Sequence, residues 1–208
     1  MLPLLGGRLS PSALHAGNVV RDEQGVVVGG SVPREPLVLD VDVLDARGTS
    51  LADAAVRLGS VRMTGRAHVV DTSPGAAVEA TFGEAMELLS DRLEPAQAKA
   101  GGKVLVKLRW RSAAAMNQAY KVFVHVLDPP GEHVVAQRDA EPQDGQAPTP
   151  GWVIGEVVDD EYAITLPGDL AIGDYPVEIG VYDPRSGDRL KLANGDNRLV
   201  LATRLHVQ

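Results

Sequence analysis

Between Lys103 and Arg111 the chain alternates: Val104, Val106, Leu108 and Trp110 fall on one face, with basic Lys107, Arg109 and Arg111 opposite. Side chains repeat every second residue in an extended strand and every 3.6 residues in a helix. The run can therefore bury one clean face only as a β-strand. The same period recurs at Tyr120 to Leu127, with Tyr120, Val122, Val124 and Val126 on one face, and at Leu37 to Val43, where Asp40 and Asp42 point away from Leu37, Leu39, Val41 and Val43. Val56 to Met63, Met86 to Leu93, His133 to Gln137, Tyr162 to Leu166, Tyr175 to Tyr182 and Leu199 to Val207 read as further strands. Twenty-two glycines and 14 prolines among 208 residues interrupt the chain too often for long helices. Turn clusters at Asp128-Pro129-Pro130-Gly131, Pro167-Gly168-Asp169, Asp183 to Gly187 and Asn194-Gly195-Asp196 separate the strands at sandwich-like spacing.

The fold expected is all-β: an Ig-like or fibronectin-like antiparallel β-sandwich over residues 78–208, preceded by a β-rich N-terminal extension over 32–77 and a loosely ordered start over 1–31. Leu166-Pro167 followed by Gly173 and Tyr175 resembles a tyrosine corner, in which the phenol ties back to upstream backbone. Residues 51–55 are compatible with a short helix, and Asp71 to Ala77 reads as a linker. The strand, turn and strand from Val41 to Met63 echo those from Ile179 to Val207, as a partial repeat of the sandwich or as two hairpins of like composition. A short sheet made by the extension exposes an apolar face, so it is expected to pack on the sandwich or on another chain. That surface comprises Leu37, Leu39, Val41, Val43, Val61 and Met63.

Twenty basic residues against 28 acidic ones leave a formal net charge of −8, the wrong sign for a protein whose main partner is a nucleic-acid backbone or an anionic membrane. With no cysteine, a disulfide framework, a thiolate metal site and a cysteine nucleophile are all excluded. The apolar start, Met1 to Leu5, breaks at Arg8 and lacks the basic lead of a secretory signal, so neither a signal peptide nor direct membrane insertion is expected.

A series of motifs runs through the second half: Phe82-Gly83 before Leu88-Leu89; Val104 to Trp110; Tyr120-Lys121-Val122-Phe123-Val124-His125-Val126-Leu127-Asp128; and Val135-Ala136-Gln137-Arg138-Asp139. Pro148-Thr149 with Trp152 and Gly155-Glu156-Val157-Val158 before Asp160 come next, then Leu166-Pro167, Gly173 with Tyr175, and Gly180-Val181-Tyr182-Asp183. In this order they resemble a β-sandwich accessory module found at the C-terminal end of membrane glycosyltransferase-like proteins of Chloroflexota-type bacteria. The resemblance covers residues 80 to 207 and implies an extracytoplasmic or cell-surface location and a role near glycans, with no reaction attached.

Two functions follow as expectations. The first is a non-catalytic structural or protein-interaction module, with a protein partner or a second copy meeting the N-terminal β extension. The alternative is a carbohydrate-binding module, with Trp152 as a stacking plate and Gln137, Asp139 and Glu156 as hydrogen-bonding groups beside it; the indole could equally cap the open end of the core. The acids Asp139, Glu141, Asp144, Glu156, Asp159, Asp160 and Glu161 offer the hard oxygens that calcium prefers, without the spacing of a calcium loop, so no cofactor is expected and solubility accounts for them. His125 and His133 flank one hairpin, but spacing places no third ligand, and no metal site is expected. Neither a nucleophile elbow nor a phosphate loop is present.

Overall fold

The computed structural model describes residues 37–42, 47, 49–50, 56–61, 67–71 and 77–208. Its strands are β1 (Leu37–Val41), β2 (Val56–Val61), β3 (Ala80–Phe82), β4 (Met86–Glu94), β5 (Gln97–Ala98), β6 (Lys103–Ser112), β7 (Lys121–Leu127), β8 (Val134–Ala140), β9 (Val157–Thr165), β10 (Gly173–Tyr175), β11 (Val177–Tyr182), β12 (Leu199–Val200) and β13 (Leu205–Val207). The chain is an antiparallel β-sandwich. One four-stranded sheet runs β3-β4-β6-β9 and the other β12-β11-β7-β8.

Alternation decides what lies between the sheets. Val104, Val106, Leu108 and Trp110 of β6 join Val158, Tyr162 and Ile164 of β9 on one side, and Val122, Val124, Val126, Val177, Ile179 and Val181 of β7 and β11 on the other, in a single buried cluster. Phe82 meets Trp110 edge-on, with ring centroids 5.7 Å apart, the arrangement that ring quadrupoles favour. A mixed ladder, β10-β13-β5, adds Tyr175, Leu205, Val207 and Ala98 to the same core. The Tyr175 hydroxyl donates to Ala171 O at 2.8 Å, the tie-back that the sequence around it predicts.

Three expectations are corrected. The strand read from Tyr175 to Tyr182 is two, because Pro176 has no N–H to continue a ladder: β10 ends at Tyr175 and pairs with β13, whereas β11 begins at Val177 and pairs with β7 and β12. The strand read from Leu199 to Val207 is two strands: β12 pairs with β11, whereas β13 pairs with β10 and β5, because the chain crosses between ladders with Leu201 sunk into the core. The linker expected from Asp71 begins as paired backbone. Val157 N donates to Val69 O at 2.7 Å and Asp71 N to Gly155 O at 3.1 Å, so residues 69–71 lie against the chain that enters β9. Residues 72–76 and the helix-compatible 51–55 lie outside the described residues.

β1 and β2 pair with each other as a separate antiparallel hairpin, as β11 and β12 pair within the sandwich. A bulge between Leu39 and Asp40 keeps Asp40 opposite Arg57, which donates to it at 3.1 Å. Val38, Val41, Val56, Leu58 and Val61 are 41–66% exposed. Of the surface expected to meet a partner, Leu37, Leu39, Val41 and Val61 fall in the hairpin, and Val43 and Met63 lie outside the described residues.

Candidate functional site

A sheet packed on one side sends alternate residues to water, and β7, β8 and β11 place an unusual set on their outer face. β7 contributes Phe123 and His125. The register sets Asp139 and Gln137 of β8 opposite them on one side, and Gly180 and Glu178 of β11 opposite them on the other. Tyr182 stands two residues beyond Gly180 on the same face.

These outward positions are nonetheless covered. Phe123 is 1% exposed, Glu178 2% and His125 7%. The cover is the segment between β11 and β12. Leu190 N donates to Val181 O at 2.8 Å, the Arg189 guanidinium lies 4.3 Å from the Phe123 ring centroid, and Arg198 Nη1 donates to Glu178 Oε2 at 2.6 Å. Beneath it His125 holds two carboxylates, with Nδ1 3.1 Å from Glu178 Oε1 and Nε2 3.7 Å from Asp139 Oδ1. The pairing answers a physical demand, because a carboxylate as buried as Glu178 is costly unless cations or donors meet it. The Phe123 ring stacks on His125 at 4.6 Å and lies 6.4 Å from Tyr182. Partial burial raises the pKa of the Tyr182 phenol, and the adjacent Asp139 carboxylate raises it further by charge and hydrogen bonding.

Gly180 makes this packing possible. A Cβ at that position would stand 2.2 Å from Phe123 Cζ, closer than a side chain tolerates, and 3.0 Å from Asn197 O, a tight approach. The ring therefore rests where only a glycine leaves room. Exposed Gln137 and Asp139 border it with an amide and a carboxylate. The arrangement sets a covered aromatic ring beside exposed side chains that can accept and donate hydrogen bonds.

Only two of the four residues expected to bind glycan, Gln137 and Asp139, belong to this face. Trp152 is 3% exposed, and its Nε1 donates to Ala147 O at 2.8 Å, so it caps the core and presents no plate to solvent. Glu156 is fully buried. Its Oε2 accepts from Val153 N at 2.9 Å and lies 2.7 Å from His68 Nδ1, which ties the extension to the sandwich. Core packing and backbone donors leave neither residue accessible to a ligand.

The other acids do not form one cluster. Asp159 and Glu161 face outward on the opposite sheet near Arg109 and Lys107, and Asp144 pairs with Arg138. Asp160 turns inward, where it accepts from Gln143 N at 2.8 Å and from the Tyr162 hydroxyl at 2.6 Å, and burial raises its pKa. The bond from Gln143 N, with Arg138 on Asp144, ties down a turn in which Gln143 and Asp144 lie in the left-handed region, at φ 54° and 52°. His133 binds Asp128 in the turn, away from His125. Among the described residues no three His, Asp or Glu side chains gather as a metal site, and no helix is long and apolar enough to cross a membrane.

Sequence reasoning missed Phe123, Glu178, Tyr182, Arg189 and Arg198. One signal was available: Phe123 and His125 occupy the outward positions of an alternating strand, where solvated polar residues ordinarily sit.

No protein-family model matches the chain, and no curated protein matches it. Among solved structures, the crystal structure of the C-terminal domain of wzt is similar at a TM-score of 0.46 with 14% sequence identity, over 66% of this chain and 83% of that one.

Proposed function

We propose that the chain is a non-catalytic carbohydrate-binding module of an extracytoplasmic or cell-surface assembly, and that it binds through the outer face of β12-β11-β7-β8. The observation that carries this reading is the placement of exposed Asp139 beside the Phe123 and Tyr182 rings, with exposed Gln137 next along the same face, opposite His125. A saccharide presents rows of hydroxyls around a weakly apolar C–H face, so it is held by carboxylates and amides that flank an aromatic ring. The resemblance to modules of membrane glycosyltransferase-like proteins supports both the ligand class and the location. No cofactor is required by this reading.

The test is a glycan array probed with the full chain, with calcium and with chelator, beside Asp139→Ala and Gln137→Ala. Binding by the parent chain that falls at least about tenfold in either variant supports the reading. Binding unchanged in both, or none at all, overturns it. Chelator sensitivity would add a metal to the site.

A second reading, a protein-interaction module, is favoured by the exposed Val41, Val56, Leu58 and Val61 of the hairpin. A partner chain or second copy on that surface would make the assembly state depend on those residues.

A further inference from the structure

We propose that Phe123 is the stacking platform for a pyranose ring and that Arg189 is its exchangeable cover, a role that rests on the carbohydrate reading of this face. A phenylalanine on the outer side of a sandwich sheet needs a reason to be there, since the core already has its rings on the inner side. The position is also specially prepared. Gly180, its partner across β11, clears the seat in which the ring lies. Asp139, its partner across β8, stands beside the ring with hydrogen-bonding capacity that a sugar hydroxyl can use.

The cover is built to move without unfolding anything. The backbone of Arg189 is fixed, through its bridge to Tyr182 and the hydrogen bond from Leu190 N to Val181 O. Its side chain is exposed and, among the described residues, makes no ion pair. The contact with the Phe123 ring at 4.3 Å is therefore what holds the guanidinium in place, and an exposed cation–π contact is a weak one. Arg198 is exposed as well but differs in its partner: it is bonded at 2.6 Å to a buried carboxylate, which holds it in place. Rotation of the Arg189 side chain uncovers the ring face, and a pyranose whose ring substituents are equatorial lays its C–H face there while its hydroxyls reach Asp139 and Gln137.

The experiment titrates cellotetraose, chitotetraose and xylotetraose by calorimetry into the full chain, Arg189→Ala, Arg189→Gln and Phe123→Leu, with circular dichroism confirming that each variant is folded. The expected result is an affinity raised about two- to tenfold in both Arg189 variants, because the competing contact is gone, and lost in Phe123→Leu. Unchanged or weaker binding in both Arg189 variants overturns the cover, and undiminished binding by folded Phe123→Leu overturns the platform. If the parent chain binds in a manner that depends on Asp139 but not on Arg189 or Phe123, the carbohydrate reading stands and this inference falls. If neither the parent nor the Arg189 variants bind any of the three sugars, while the array shows no other glycan, both fall. Should Phe123→Leu fail to fold, Gly180→Ala, which pushes the ring from its seat, serves in its place with the same expected loss.

Discussion

An indole that is 3% exposed, with its N–H donating to Ala147 O, has no face left for a ligand. Trp152→Ala is therefore expected to act on stability, with a loss of about 3–5 kcal/mol from the emptied volume. Urea unfolding followed by circular dichroism measures that loss, and a change below about 1 kcal/mol would return Trp152 to the surface. Phe123 carries the opposite lesson. It is as buried as Trp152, yet it stands outside the shared core, stacked on His125 and set against one exposed arginine and one glycine. Burial alone does not separate the two rings; what covers each one does.

At the scale of elements, the short segment 67–71 shows how one buried carboxylate joins the extension to the sandwich. Glu156 takes its place at the entry to β9, and His68 reaches it at 2.7 Å while Val69 and Asp71 make backbone bonds on either side. His68→Ala removes one partner that the extension supplies to Glu156 and leaves Val153 N in place. The amides of Asp71 and Val157 are then expected to exchange about ten times faster, as that edge opens locally, while amides in β6 and β7 keep their protection. Hydrogen exchange read by NMR tests this, and equal rates in variant and parent would show that the backbone bonds hold the segment unaided. The same economy appears at the 142–145 turn, where Asp160 sustains two left-handed residues through the bond to Gln143 N, assisted by Arg138 on Asp144.

For the whole molecule, the question is what the β1–β2 hairpin adds. Its valines are exposed, so they contribute little to the stability of the chain as it stands. Val56→Asp combined with Leu58→Asp is expected to shift the thermal midpoint by no more than about 2 °C. A much larger fall would mean that the hairpin packs on the sandwich. Light scattering on the same variant reads the second proposal directly: a smaller particle than the parent supports a partner surface there, and equal size at all concentrations counts against self-association.

The period-2 alternation of β6 and β7 settles from sequence alone that these segments are strands and which face of each meets the shared core, because a one-residue slip of β6 would turn Val104, Val106, Leu108 and Trp110 away from it. Turn chemistry likewise makes Tyr175 legible as a corner before any coordinates exist. Alternation is a local property, however, and it is silent on what covers an outer face. That Phe123 and His125 lie beneath Arg189 and Arg198, that Gln137 and Asp139 border them, and that Trp152 and Glu156 turn inward depend on contacts between residues far apart in the chain. Such contacts come from pairing and packing across the sheets, so the candidate site exists only once the tertiary structure has brought four separate stretches of sequence onto one face.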